Sequence, residues 1–352
     1  MKIEITFVLP SLSAGGAERI MSFIAQNINP EKFNSTLLIA GYEKDSAYTV
    51  EGIKVVYLNS ARVRYSIRAI YSYLKKNKPT IVVSSIAHLN TSIALISIFF
   101  PKIKFIGREA NVLSVIKQFK KGNDWFQSFL LKISYRLFDA IICQSKDMMN
   151  DMLTNYGIPE SKLILINNPI TDEFEVKADI ESQNESPRSF VTVASLKKQK
   201  GHLRILNVLA NVQYPFTYTL IGDGPQKDII FETVKTLGLT KKVTHIPFSS
   251  EVSKYLAKSD FFLQGAYVEG FPNCLLESSA VGTPIIAFKA PGGLDEIIQP
   301  DVNGYIADNE MEYLEYLNLE KKWDPKKISQ SVYNKFSKEI IIKKYEDLFF
   351  KV

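Results

Sequence analysis

The 352-residue chain is poor in cysteine, with two in its whole length. Cys143 and Cys274 lie far apart, and each stands inside an apolar run. This setting favours a small buried hydrophobic role for both over a disulfide or a metal ligand. The usage of cysteine therefore fits a reducing, cytoplasmic environment.

Long hydrophobic runs are also missing. The most extended apolar stretch, Thr91 to Phe100, falls well short of the ~20 residues that cross a bilayer as a helix, and it predicts a buried helix. The N-terminal sequence KIEITFVLP has no basic leader, no long apolar segment and no small-residue cleavage site. We therefore expect a protein that is neither exported nor membrane-spanning, although peripheral attachment at the inner face of the plasma membrane stays open.

Charge of one sign is not concentrated in a single block. The 43 basic and 37 acidic residues give a formal net charge of +6, which is modest for this length. The balance argues against a nucleic-acid partner and is compatible with phosphate ligands or an anionic membrane surface. With 46% hydrophobic residues the chain should fold, and its length predicts two domains of roughly 150 residues each.

Strand-like and helical patterns alternate along both halves of the chain. This α/β alternation predicts two doubly wound domains with parallel sheets, at 1–168 and 189–334. The polar stretch 169–188 between them is predicted to be a linker about which the domains close. A C-terminal helix over about 335–352 is expected to pack back on the first domain. Ligands of such domains bind beyond the carboxyl ends of the strands, so we expect a cleft lined by both sets of loops.

Two glycine-containing turns are candidates for holding an anion, and a third is a candidate for the cleft wall, although a purely structural strand exit would look identical. Gly15 and Gly16 precede a helix whose free N–H groups can bind a phosphate or sugar oxygen, although an ordinary glycine turn explains them equally well. Lys200 stands directly before another helix, where it suits a diphosphate, but a solvated lysine cluster is the commoner explanation of such a loop. Gly222 and Gly224 predict a tight turn at the next strand exit.

The stretch EGFPNCLLE is the most informative one. Glu269 stands in a loop, and Glu277 follows on a helix that begins near Asn273. Backbone N–H groups at the start of this helix can bind sugar hydroxyls or phosphate. Glu269 can reach sugar hydroxyls, and Glu277 can accept hydrogen bonds from both hydroxyls of a ribose. Two unrelated acids are the alternative, yet a glutamate among apolar residues is costly without a partner. The pattern indicates a nucleotide-sugar site.

The chain resembles family 4 of the retaining glycosyltransferases over essentially its whole length. The resemblance rests on five motifs that occur in the same order in that family: the GGAE turn, the KG pair, the GDGP turn, EGFPNCLLE and SSAVGTPIIAF. The resemblance implies a GT-B fold, in which two Rossmann-like domains face each other across a cleft. It also implies sugar transfer from a nucleotide sugar, with a UDP-sugar favoured, retention of the anomeric configuration, and no metal or other cofactor.

The resemblance also assigns roles to residues. Glu269 and Lys200 become the catalytic pair at the donor sugar and the diphosphate, Glu277 meets the ribose, and Gly15 and Gly16 lie near the phosphates and acceptor. The remaining donor-pocket candidates are Ser195, Gly222, Gly224, Ile246, Phe248, Gly270, Phe271, Pro272, Asn273, Cys274 and Leu275.

Two positions depart from the family pattern. An arginine is common five residues before the lysine, where this chain has Ser195, and a histidine is common near Ala110. The first-domain candidates for contacting acceptor or donor sugar are then Arg108, Glu109, Asn111 and His88. A structural salt bridge between Arg108 and Glu109 is an equally good explanation of that pair.

The expected function is transfer of a hexose or N-acetylhexosamine to a hydroxyl of a lipid-linked or surface-glycan acceptor, as in O-antigen or capsule synthesis. A catalytically weak protein that binds nucleotide sugars or a partner is the alternative. The segment Ser114 to Phe138 mixes basic and aromatic residues, which suits either an interfacial helix on anionic lipid or an ordinary packed helix.

Overall fold

The computed structural model describes residues 2–13, 15–119, 125–178 and 187–352, without the side chains of residues 125–128. Within this part of the chain there are two compact units. The chain passes from the first unit to the second after Thr171 and returns to the first after Ser337. Part of the predicted linker 169–188 lies outside the described residues.

The first unit is built on a parallel sheet in which the described residues form seven strands, in the order β3-β2-β1-β4-β5-β6-β7. The strands are β1 (Ile3–Leu9), β2 (Phe33–Ile39), β3 (Lys54–Tyr57), β4 (Ile81–Ser85), β5 (Lys104–Arg108), β6 (Ala140–Cys143) and β7 (Leu163–Leu165). The helices that connect them are α1 (Gly16–Asn27), α2 (Val63–Asn77), α3 (Ala87–Ser97), α4 (Leu113–Ile116), α5 (Trp125–Tyr135) and α6 (Lys146–Thr154).

The second unit repeats this plan with a parallel sheet in which the residues described there form six strands, in the order β10-β9-β8-β11-β12-β13. Its strands are β8 (Arg188–Val193), β9 (Phe216–Ile221), β10 (Val243–Ile246), β11 (Phe261–Gln264), β12 (Ile285–Phe288) and β13 (Gly304–Ala307). Its helices are α7 (His202–Leu209), α8 (Lys227–Thr236), α9 (Val252–Ala257), α10 (Asn273–Ala280), α11 (Leu294–Ile297), α12 (Glu310–Asn318) and α13 (Pro325–Phe336).

The C-terminal helix α14 (Lys338–Lys351) belongs to the first unit. Its apolar face joins the core there, and the ring of Phe349 lies 6.1 Å from that of Phe7 and 5.9 Å from that of Phe33. The Asn29 N–H donates to Glu346 at 2.8 Å. The predicted helical tail is thus two helices, one in each unit.

One expectation from the sequence needs correction, and one helix was not predicted. The run Thr91 to Phe100 does not form one buried helix, because α3 ends at Ser97 and the side chains of Ile98 and Phe99 beyond it are 61% and 66% exposed. The helix α12 did not stand out in the sequence, because its acidic residues dilute the apolar spacing. The side chains of Tyr313 and Leu317 on the inner face of α12 are buried.

Strand order explains where a ligand site can form in the second unit. The chain moves from β8 outward to β9, and later from β11 outward in the other direction to β12. The adjacent parallel strands β8 and β11 therefore mark the switch point, where the following loops part and leave a crevice at their carboxyl ends.

Candidate functional site

The carboxyl ends of β8 and β11 bring Lys200 and Glu269 together. After β8 the chain runs through Ser195 into a short 3-10 turn over Lys198–Lys200. After β11 it forms the loop that carries Glu269 and then enters α10. The Lys200 ammonium lies 2.7 Å from both carboxylate oxygens of Glu269, and the Gln264 amide donates to one of them at 3.0 Å.

This ion pair is largely withdrawn from water. The side chains of Lys200 and Glu269 are 24% and 8% exposed. Burial alone would lower the pKa of Lys200, but the Glu269 carboxylate outweighs it, and the pKa of the lysine is raised above its usual 10.5. Lys200 is therefore a cation at neutral pH, and Glu269 has the partner that its apolar surroundings require.

A third loop fixes the backbone of Glu269. The Glu269 N–H donates to the Pro291 carbonyl at 2.9 Å. Gly292 packs on the other side with a φ of +124°, and a Cβ there would stand 2.3 Å from the Glu269 carbonyl oxygen. Gly270 continues the same buried loop. Glu269 is consequently held by its main chain as well as by Lys200.

The helix α10 begins directly after this loop. Pro272 is its N-cap residue, so the positive N-terminal end of the helix follows Glu269 within a few residues of the chain. Glu277 stands in the next turn and is partly buried. Burial and the Glu269 carboxylate raise the pKa of Cys274 to about 12, which leaves it a neutral thiol. This arrangement offers an oxygen-rich ligand a helix N-terminus, a cation and two carboxylates.

Two apolar candidates from the sequence pack inside the domain. The ring of Phe271 is 4% exposed and meets Phe336 edge to face with 5.3 Å between ring centres. The side chain of Leu275 is fully buried. Phe271 and Leu275 thus shape the start of α10 through their packing, and only their backbone can face a ligand.

The GDGP turn lies against the exit of β8. A Cβ at Gly222 would stand 2.1 Å from the Ala194 carbonyl oxygen, and one at Gly224 would stand 2.6 Å from that of Leu196. The structure therefore brings this turn next to Ser195. The neighbouring strand end supplies Ile246, whose carbonyl accepts from the Gly222 N–H at 2.8 Å.

Phe248 follows that strand end as a highly exposed side chain. It is 77% exposed, which leaves its ring accessible to a ligand. The expected place of Phe248 in the donor pocket remains a prediction.

Sequence reasoning missed two residues that hold this edge together. Arg204 of α7 donates from Nε to the Gly265 carbonyl at 2.6 Å and from Nη2 to the Ala266 carbonyl, and its guanidinium lies over the Tyr267 ring at 4.3 Å. His202 is buried, and its pKa is lowered mainly by that burial, so the neutral ring donates from Nε2 to the Ser195 carbonyl at 3.0 Å. A charged residue inside the apolar helix HLRILNVL was the available signal for Arg204.

The first-domain pair Arg108 and Glu109 is buried within its own domain. Arg108 has no exposed surface, and its guanidinium donates to Ser85 at 3.2 Å and to Asn168 at 2.6 Å. Glu109 is 1% exposed and accepts from the Tyr135 hydroxyl at 2.6 Å. Each side chain has its own partners, so neither the expected salt bridge nor an open sugar-binding position describes them.

The Gly15–Gly16 turn is occupied by a side chain of its own helix. A Cβ at Gly15 would stand 2.2 Å from the Glu18 carboxylate, which folds back over the start of α1. Burial raises the pKa of Glu18. The position expected to accept a phosphate therefore already holds an acidic group.

The other first-domain candidates remain at the carboxyl edge of their sheet. His88 is exposed in the first turn of α3, and Asn111 is partly buried after β5. Residues 120–124 and the side chains of 125–128, inside the segment expected to meet lipid, lie outside the described residues. Among the described residues there is no cluster of three or more possible metal-binding His, Cys, Asp or Glu side chains, and no helix is both long and apolar enough to cross a membrane.

Two doubly wound parallel domains are the architecture of the GT-B class of glycosyltransferases, and the second domain holds a buried lysine–glutamate pair at its switch point. Residues 14–174 match the model of Glycosyltransferase Family 4, and residues 173–323 match that of Glycosyl transferases group 1. The chain belongs to the glycosyltransferases that combine these two domains.

Curated relatives are about a quarter identical to the chain over the residues that align. One from Campylobacter jejuni, an N-acetylgalactosamine-N,N'-diacetylbacillosaminyl-diphospho-undecaprenol 4-alpha-N-acetylgalactosaminyltransferase, is 25% identical over 67% of this chain and 65% of its own, just under two thirds of its length. A second from that organism, which adds alpha-1,4-N-acetyl-D-galactosamine to a GalNAc-containing diNAcBac-PP-undecaprenol, is 23% identical over 90% of this chain and 88% of its own. Homologues therefore act in lipid-linked glycan synthesis.

Solved structures of the same fold cover nearly the whole chain. The lipopolysaccharide outer core galactosyltransferase WaaB superposes with a TM-score of 0.81 at 18% identity, over 99% of this chain and 100% of its own. The Anabaena protein Alr3699/HepE in complex with UDP-glucose gives 0.82 at 17% identity, again over 99% and 100%. Both confirm the expected GT-B fold.

Proposed function

We propose that this glycosyltransferase transfers a hexose or N-acetylhexosamine from a UDP-sugar to a hydroxyl of a lipid-linked glycan, with retention of the anomeric configuration. The observation that carries the proposal is the buried contact of Lys200 with both carboxylate oxygens of Glu269, beside the start of α10. A buried cation beside a helix N-terminus suits a diphosphate, and a carboxylate within reach suits the sugar attached to it.

Lys200 and α10 act on the leaving group. When the bond between sugar and diphosphate breaks, negative charge builds on the phosphate oxygens. A fixed ammonium and the backbone N–H groups after Pro272 stabilise that charge without having to reorient, because both are already held in place. No metal ion is needed for this role.

Glu269 acts on the sugar. Both of its oxygens are engaged by Lys200, so it is poorly suited to attack the anomeric carbon as a free nucleophile. It is well placed to orient sugar hydroxyls and to balance positive charge that develops on the ring. Retention then results from attack of the acceptor hydroxyl on the face from which the diphosphate departs, with a phosphate oxygen taking the hydroxyl proton.

The nucleoside and the acceptor are inferred from Glu277 and from proteins similar to this chain. Glu277, one turn into α10, is the candidate for the two ribose hydroxyls. UDP is favoured because the Anabaena protein of the same fold was solved with UDP-glucose. A lipid-linked acceptor is favoured because two relatives are named for undecaprenyl-diphosphate substrates. We propose that the reaction takes place at the inner face of the plasma membrane.

The direct test is turnover with a panel of UDP- and GDP-sugars and undecaprenyl-diphosphate-linked acceptors, with the product anomer assigned by NMR. We expect transfer from one UDP-sugar with retention, and a loss of at least about a hundredfold in kcat for Glu269→Gln and Lys200→Met. Lys289→Met, which breaks an exposed ion pair with Asp308, is the matched control and should keep its activity. Nucleotide binding without turnover would instead support a binding module, and an inverted product would contradict the mechanism.

A further inference from the structure

The first domain contains a long stretch without a single acidic residue. Between Glu51 and Glu109, residues 52–108 hold ten lysines and arginines and no aspartate or glutamate. At the average frequency of the chain, with 37 acidic residues in 352, this stretch would hold about six. The modest net charge of the whole protein therefore conceals a local positive excess, which corrects the expectation that charge of one sign is not concentrated in any block.

Most of these basic residues are exposed on and around α2. The helix buries Ser66, Ile70 and Leu74, which follow one another at intervals of four residues. Seven of the exposed basic side chains of this stretch lie on α2 or next to α2 and α3: Arg62, Arg64, Arg68, Lys75, Lys76, Lys78 and Lys102. Because the same stretch contains no carboxylate, these side chains have no acidic neighbour along the chain between Glu51 and Glu109.

Exposed apolar side chains lie among these charges. Tyr65 and Tyr71 of α2 are 62% and 37% exposed, and Ile98 and Phe99, just after α3, are 61% and 66% exposed. The rings of Tyr71 and Phe99 meet edge to face at 5.9 Å, so the two elements form one continuous surface. We call Arg64, Arg68, Tyr71, Ile98, Phe99 and Lys102 the α2–α3 surface.

We propose that the α2–α3 surface docks on an anionic lipid bilayer. Lysines and arginines are attracted to negatively charged head groups, while aromatic and aliphatic tips enter the interface between head groups and acyl chains. Ile98 and Phe99 leave water on such an insertion, which removes the cost of their exposure. A nucleic acid would satisfy the charges alone and would leave these two side chains in water.

The neighbouring helix extends the same apolar character. α3 contacts both α2 and α5, and on α5 the side chains of Phe129 and Ile133 are 53% and 43% exposed. Docking needs none of the transfer chemistry, so it is tested on binding alone. It would keep a lipid-linked acceptor and the enzyme on one surface.

Vesicle co-sedimentation of the full chain tests the charge requirement. Vesicles of neutral phosphatidylcholine are compared with vesicles that also contain phosphatidylglycerol, at low and high salt. We expect binding to the anionic vesicles alone, weakened by salt. Arg64→Glu with Arg68→Glu should lower the partition coefficient at least about tenfold, whereas Lys235→Glu with Lys241→Glu, an equal charge change at exposed sites of the second domain, should leave it unchanged.

The apolar requirement is tested with a second pair of variants. Ile98→Ser with Phe99→Ser should weaken binding to anionic vesicles several-fold with an unchanged melting temperature, and Ile229→Ser with Met311→Ser, also exposed, should not. Three results would each overturn the proposal. They are binding to neutral vesicles as strong as to anionic ones, losses of vesicle binding in the control variants as large as in the test variants, and binding of an oligonucleotide without any binding of vesicles.

Discussion

Gly201 and Gly265 pack backbone against backbone where β8 and β11 end. A Cβ at Gly201 would lie 1.8 Å from the Gly265 carbonyl oxygen, and one at Gly265 would lie 2.5 Å from that of Gly201. Gly201 also has a φ of +62°, which side chains rarely adopt. This contact joins the loop of Lys200 to the loop of Glu269, so the geometry of the ion pair depends on two residues without side chains.

Gly201→Ala should disturb the site more than its backbone angle alone explains. Gly238→Ala is the matched control, because Gly238 has a φ of +70° and nothing within 4 Å of an added Cβ. Both variants bear the strain of a left-handed alanine, about 1–2 kcal/mol. Gly201→Ala should lose a further ~1–3 kcal/mol in the free energy of unfolding and most of its nucleotide affinity. Equal effects in chemical denaturation and calorimetry would contradict this close packing.

Arg204 is expected to be a positioning residue for the Glu269 loop. Arg204→Lys keeps the charge but loses the planar group that donates to two successive carbonyls. We expect kcat/KM for the nucleotide sugar to fall about tenfold or more, because the lysine ammonium does not replace the two hydrogen bonds of the guanidinium. Arg188→Lys is the control, because Arg188 also lies over a tyrosine ring, at the opposite end of β8. Equal losses in the two variants would assign Arg204 a general structural role.

The Lys200–Glu269 pair should stabilise the fold in a pH-dependent way. The pKa of Lys200 is raised in the folded state, so its contribution is complete below about 10.5 and is lost as the pH rises through the folded value. The difference in unfolding free energy between the wild type and Lys200→Met/Glu269→Gln should therefore shrink above about pH 10.5. Denaturant titrations across that range measure it. A difference that stays constant to high pH would show that the ammonium contributes nothing.

Glu109 should behave as a buried structural carboxyl group. Burial raises its pKa, so the stability that its neutral form provides is present below about 4.5 and is lost as the pH rises through the higher folded value. Glu109→Gln should therefore gain stability relative to the wild type between about pH 4 and pH 7, with little change in transfer rate. Glu4→Gln, at an exposed position on β1, is the control. A large loss of transfer would restore Glu109 as an acceptor-binding residue.

The order of strands and helices was largely predictable, because apolar runs in parallel sheets stand out from the amphipathic helices that separate them. Every strand from β1 to β13 coincides with an apolar run of the sequence. The helix α12 escaped because four of its nine residues are acidic or asparagine and its burial depends on two residues. The exposure of Ile98 and Phe99 after α3 was not predicted, because an apolar sequence alone does not show whether a side chain is buried or exposed to solvent.

The structure brings the second-domain candidates Lys200 and Glu269 into contact, whereas the first-domain candidates Arg108 and Glu109 are buried. EGFPNCLLE and the KG pair are short local motifs, and the order of the strands brings them together. The contact of Arg204 with two distant carbonyls depends on the folded loop and has no local sequence pattern. Likewise, the burial of Arg108 depends on Ser85 and Asn168, which lie far away in the chain.

Titration of the purified protein with UDP and GDP, by calorimetry and thermal shift, tests the central claim most directly. It is repeated with Glu277→Ala and with the control Glu232→Ala, an exposed carboxylate on α8. We expect one nucleotide, UDP, to bind and to raise the melting temperature, with the affinity reduced at least about tenfold in Glu277→Ala and unchanged in Glu232→Ala. Failure of the wild type to bind either nucleotide would contradict the donor site proposed here.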